Sequence, residues 1–129
     1  MNPVIHFEMS ASDLKRAADF YTKAFGWQMQ HLGEKWGNYA MAMTAESDEN
    51  GPKKPGSING GLYPRTENDP DQHPSVVIGV ENLREHMKRV EAAGGKVLGE
   101  PMEIPDVGWY VAFRDTEGNR VGMLQPSRP

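Results

Sequence analysis

His6 and Glu8 stand two residues apart in the run Val-Ile-His-Phe-Glu-Met of residues 4–9, where apolar and polar side chains alternate. In an extended strand that alternation puts Ile5, Phe7 and Met9 on one face and His6 and Glu8 on the other. An imidazole beside a carboxylate can hold a hydrogen-bonding ligand or give a metal two donors, and any catalysis here would use His6 and Glu8 as acid and base. A carboxylate in the middle of a buried strand must find a partner or lie in a wet cavity, and Arg114 or His6 could supply the partner. Tyr39, Met41, Tyr63 and Tyr110 add rings that stack and hydrogen-bond and a thioether that adapts to shape. Trp36 and Trp109 each stand shortly before a tyrosine at a loop-to-strand entry, where a ring suits the rim of a ligand mouth. No Gly-x-Ser-x-Gly, phosphate-cradling glycine loop or His-Glu-x-x-His is present, so no catalytic residue is assigned.

The composition narrows the field. A chain of 129 residues, 37% hydrophobic and 25% charged, suits a single domain with a real core. Cysteine is absent, which excludes disulfides, thiolate metal sites and a cysteine nucleophile. A formal charge of −4 with scattered basic residues argues against nucleic acid as a partner, which needs a concentrated basic surface. No apolar run approaches the roughly 20 residues of a membrane span, and the chain opens into a strand-like segment, so no membrane partner and a cytoplasmic location are expected.

The elements that position these residues come in two sets. After the first strand, Ser10 and Asp13 give a capping-box-like helix start. Leu14, Ala17, Ala18, Tyr21 and Phe25 then recur at helical spacing before Gly26 stops the helix. Residues 27–30 and 38–44 read as strands, 45–57 as a long exposed loop, and 58–63 as a closing strand. Beyond a linker at 65–74 the order restarts, with a strand at 75–80 and the cap pair Asn82 and Glu85. Leu83, Met87 and Val90 form the next stripe, Gly94-Gly95 stops the helix, and strands follow near 96–98, 109–114 and 120–125. A shift of 69 positions carries Leu14 onto Leu83, Gly26 onto Gly95 and Met29 onto Leu98. Module one thus spans 1–64 and module two 75–129, each β-α-β-β-β.

The stretch from Ile5-His6 through Asp13-Leu14 and Phe20-Tyr21 to Phe25-Gly26 resembles the opening of the vicinal oxygen chelate superfamily, which includes glyoxalase I, bleomycin resistance proteins and extradiol dioxygenases. The turn Phe113-Arg114-Asp115-Thr116-Glu117-Gly118-Asn119-Arg120 resembles that superfamily's closing turn, with Thr116 where a proline is usual. The resemblance implies an α+β fold of two tandem βαβββ modules, whose curved mixed sheets form an incomplete barrel around a ligand cavity with the helices outside. It also implies a divalent cation, held by ligands from the first and last strands of each module. His6 matches the first of these positions, but the others fall on Ser75, Gly61 and Gly122, so no metal and no other cofactor is expected. Glycines there would leave volume for a flat or bulky group to approach the backbone.

Strand parity and the repeat give His6, Glu8, Tyr39, Met41, Tyr63, Trp109, Tyr110 and Arg114 as ligand-binding residues. The expected function is metal-independent binding of a small molecule, in a homodimer of the glyoxalase and bleomycin-resistance type. The alternative is a metal-dependent lyase, isomerase or dioxygenase of the same superfamily, with ligands relocated among groups such as Glu8, His31, His73 and Gln125. The residue types leave open whether the chain is an enzyme.

Overall fold

The computed structural model describes residues 1–66 and 73–127, so the middle of the expected linker, 67–72, lies outside the described residues. The chain divides into two compact units. The first covers residues 6–74, and the second joins residues 1–5 to residues 75–129. The boundary falls within the first strand, β1 (Val4–Ala11).

In the first unit, β1 leads to helix α1 (Leu14–Phe25), then to β2 (Gln28–His31), β3 (Ala40–Met43), a two-residue pair β4 (Ser47–Asp48) and β5 (Gly51–Pro52), and β6 (Asn59–Pro64). β1 runs parallel to β6, β3 pairs antiparallel with β6, and β2 pairs antiparallel with β3 at the edge. The second unit repeats the plan with β7 (Ser75–Gly79), α2 (Leu83–Ala92), β8 (Lys96–Ile104), β9 (Gly108–Arg114) and β10 (Arg120–Pro126). Here β7 runs parallel to β10, with β9 and then β8 added antiparallel. The α+β fold with two tandem βαβββ modules is therefore present.

Each helix is fixed at its ends by the residues that mark it in the sequence. Asp13 caps α1, its Oδ1 accepting from the Arg16 amide at 2.9 Å, and Gly26 closes the helix in the left-handed region at φ 75°. Ser10 still belongs to β1, so the cap is Asp13 alone. Asn82 caps α2 through the Glu85 amide at 3.0 Å, and the next orphan amide, Leu83 N–H, donates to Gln125 Oε1 at 2.9 Å. Asp13→Ala is expected to lower the unfolding free energy by about 1 kcal/mol in urea titration, with Asp13→Ser recovering most of it.

One face of each sheet packs on its helix. In the first unit Ala40, Ala42 and Leu62 are buried with Phe7, Met9, Leu14, Ala17, Tyr21, Trp27 and Met29 around them. In the second, Val80, Leu83, Val111, Phe113 and Met123 form the core, joined by Ile78, Met87, Val90, Val97 and Val121. One expectation needs correction. Ile5, placed with Phe7 and Met9, packs instead beside Gly79 of the second unit, because β1 changes unit after its second residue.

Residues 45–57 are also not a plain loop. Asp48-Glu49-Asn50-Gly51 is a turn sequence, and Asp48 Oδ1 accepts from the Asn50 amide at 2.8 Å, closing the small hairpin β4–β5. β8 extends beyond residue 98 because Gly99, at φ 89°, absorbs a shift of register between Leu98 and Met102.

Candidate functional site

Since Phe7, Met9, Ala40, Ala42 and Leu62 take the helix face of the first unit, their alternating neighbours take the opposite face. His6, Glu8, Tyr39, Met41, Gly61 and Tyr63 therefore share it. Glu8 and Met41 both stand opposite Gly61 in register, giving a straight row across three strands, and Tyr63 stands opposite Ser10. Glu8 is only 9% exposed, a carboxylate buried at the middle of β1.

Tyr39 decides the character of this face. It is delivered by two successive left-handed residues, Gly37 at φ 61° and Asn38 at φ 56°, and its carbonyl accepts from the Leu32 amide at 2.9 Å. Its phenol lies where any side chain on Gly61 would have to stand. The space expected to be open above that glycine is thus filled by the chain's own ring. The Tyr39 hydroxyl is 3.2 Å from His6 Nε2, and the tautomer of the imidazole sets which of the two donates. Burial lowers the His6 pKa from 6.5 to about 4, so the ring is neutral at physiological pH. Tyr39→Phe is expected to lower the unfolding free energy by about 1 kcal/mol in urea titration, since a half-buried imidazole nitrogen loses its partner.

The second unit repeats the device. Val111, Phe113, Val121 and Met123 face α2, leaving Tyr110, Ala112, Arg114, Gly122 and Leu124 on the other face. The Tyr110 ring takes up the space beside Gly122, as Tyr39 does at Gly61. Arg114 Nη1 donates to the Gly118 carbonyl at 3.0 Å, bracing the turn whose Asp115 accepts from the Asn119 amide at 2.9 Å.

Trp109 does not share the face of Tyr110. It stands opposite Glu103 and Gln125 in register, on the side of Val111, and is 40% exposed. Alternation alone separates adjacent residues of a strand, so that much was legible. Trp36 sits in a single turn of 3-10 helix (Glu34–Trp36) with the Lys35 ammonium 5.6 Å from its ring centre. His31 and His73 are exposed. The filling of Gly61 by Tyr39 had no local signal, because the contact depends on how β3 lies against β6.

The implied divalent cation can be tested against these side chains. Of the four corresponding positions, Gly61 and Gly122 offer no donor, and tyrosine rings stand where their side chains would be. Among the described residues no group of three or more His, Asp or Glu side chains is placed to hold a metal ion. The donor set does not fit the four-ligand pattern. A cleft of about 410 Å³ opens elsewhere in the first unit, beside the first turn of α1 and lined by Ser10, Asp13, Arg16, Phe20 and Arg65. It contains none of the eight expected site residues. Among the described residues no helix is long and apolar enough to cross a membrane.

The chain also has recognisable relatives. The model of a family described as the Glyoxalase/Bleomycin resistance protein/Dioxygenase superfamily matches residues 4–123. A glyoxylase-like domain-containing protein of Didymella fabae is 31% identical over 115 residues, 87% of this chain and 84% of that protein. The anthracycline biosynthesis protein DnrV of Streptomyces peucetius is 25% identical over 117 residues, 87% of this chain but 42% of that protein. Among solved structures, methylmalonyl-CoA epimerase from Mycobacterium tuberculosis superposes with a TM-score of 0.69 at 16% identity, covering 96% of this chain and 87% of that one. At that identity the likeness is one of fold.

Proposed function

Because the chain belongs to the Glyoxalase/Bleomycin resistance protein/Dioxygenase superfamily, we propose that it binds a small molecule, without a metal ion, on the sheet faces that the helices leave uncovered. The observation that carries this reading is the pairing of His6 with Tyr39 above Gly61. A neutral imidazole and a phenol, set among the Glu8 carboxylate, a thioether and a second tyrosine, form a surface of rings and sulfur with a few fixed polar atoms. Such a surface suits a planar ligand with one or two hydrogen-bonding groups. One relative is named for anthracycline biosynthesis, and a flat aromatic ligand is the class this face would accept. The same reading keeps the expectation of a cytoplasmic homodimer.

A second reading has one observation in its favour. His6 and Glu8 lie on the same face of β1, so two donors are already side by side for a metal-dependent lyase, isomerase or dioxygenase with relocated ligands. Elemental analysis separates the two. Protein purified without chelators should carry no stoichiometric Mn, Fe, Ni, Zn or Mg, and none of these should raise its Tm. Stoichiometric metal whose retention is lost in His6→Ala would overturn the metal-independent reading and favour the second.

A further inference from the structure

We propose that Asn59 is a positioning residue for the first unit's ligand face: its amide clasps the β4–β5 hairpin beside His6, and the hairpin so held forms one wall of the small-molecule site. The inference rests on the small-molecule-binding reading above and deepens it.

Three observations carry it. The first is where Asn59 points. The Phe7 ring, on the helix side, takes the place where a side chain on Gly60 would stand. By alternation Asn59 and Gly61 turn to the open face, and Asn59 stands opposite His6 in register. The second is what its amide holds. Oδ1 accepts from the Thr44 amide at 2.9 Å and the Ala45 amide at 3.4 Å, while Nδ2 donates to Ser47 Oγ at 2.9 Å. The Ser47 hydroxyl in turn donates to the Ala45 carbonyl at 2.9 Å, and the Thr44 hydroxyl donates to the Ile58 carbonyl. Both ends of a side chain on the open face are thus engaged by the segment that leaves β3, and β4 begins at Ser47. The backbone from Thr44 to Ser47 therefore bends onto the side of the sheet that carries His6. The hairpin has an inner and an outer side to match. Ser47, Gly51 and Pro52 are half-buried, whereas Glu46, Asp48, Lys53 and Lys54 are exposed, with Glu46 and Lys53 paired at 3.1 Å.

The third observation is that the fold does not require this hairpin. The second unit makes the matching connection, from β9 to β10, through residues 115–119, a tight turn braced by Asp115. The first unit uses residues 44–58 for it and gives the added length strands and a clasp of its own. A connection so much longer than its duplicate, ordered and set at the rim of a candidate ligand face, has the character of a binding loop on a rigid scaffold.

The test is hydrogen exchange and NMR titration of the full chain with phenol and 2-naphthol, planar probes with one hydroxyl. In the wild type, a probe that shifts the His6 ring signals should slow exchange of the backbone amides of residues 44–57 more than it slows those of β9. Asn59→Ala should expose the Thr44 and Ala45 amides to exchange, leave the β9 amides protected, and weaken 2-naphthol binding by about tenfold, equivalent to about 1.4 kcal/mol. Ser47→Ala removes only the partner of Nδ2, so it should weaken binding in the same direction by a smaller factor, and it carries the test should the variant at position 59 fail to fold. A purely structural role for Asn59 predicts faster exchange with unchanged probe affinity. That result, or a bound probe that leaves residues 44–57 unprotected, would overturn the inference while leaving the binding reading intact. If neither probe moves the His6 signals, both the inference and the binding reading fall.

Discussion

Gly61→Val is expected to lower the unfolding free energy by about 2–3 kcal/mol, a large effect for adding three carbons. Gly61 is not among the glycines at positive φ, so its backbone suits any residue and strain in φ and ψ is not the cause. The cause is steric. A valine methyl and the Tyr39 ring cannot share the same space, and the ring must leave, giving up both its packing and its contact with His6 Nε2. Combining Gly61→Val with Tyr39→Ala should therefore be less damaging than the sum of the single changes, since the second makes room for the first. Urea unfolding of the four proteins measures the coupling, and strict additivity would show that the ring does not stand on Gly61.

Acidification gives the second large effect. His6 titrates at about 4 in the folded chain and at 6.5 when exposed, so between those values the unfolded chain holds a proton that the folded chain refuses. Stability should be unaffected by this group above pH 6.5 and should fall as the pH drops from 6.5 to 4. The loss should approach about 2–3 kcal/mol and level off below that window. His6→Gln keeps a polar side chain without the titration, and its stability should vary less with pH across the same interval. Equal slopes for the two proteins between pH 6.5 and 4 would show that the buried imidazole is not what the acid attacks.

These effects separate what the sequence reveals from what it conceals. Asp13 and Asn82 could be recognised as caps because a cap is a contact over three residues, and Leu14 and Leu83 open their helices as the repeat requires. His6 and Glu8 could be assigned to one face because strand parity is local. The hairpin β4–β5 was hidden in a charged stretch with too few apolar residues to show a period. Likewise, Gly99 allows β8 to continue past a point where alternation breaks down. The occupation of Gly61 by Tyr39 belongs to a different order of information. It joins a residue just before β3 to one on β6, across the small hairpin between them, and a glycine in a sequence does not say whether its missing side chain leaves a void or accommodates a neighbour.

The division of β1 between the units bears on the order in which the chain can assemble. The Pro3 carbonyl accepts from the Gly79 amide at 2.9 Å, and Met1–Ile5 group with strands encoded some seventy positions later. During synthesis the first unit has all its strands once Pro64 has emerged, whereas the opening residues must wait for β7 and its parallel partner β10. The Leu83 amide waits as well, because Gln125 sits in the last strand. Pairings of such sequence separation form slowly. Residues 1–5 are thus a temporal link, made before the rest of β1 yet placed only after β7 and β10 exist.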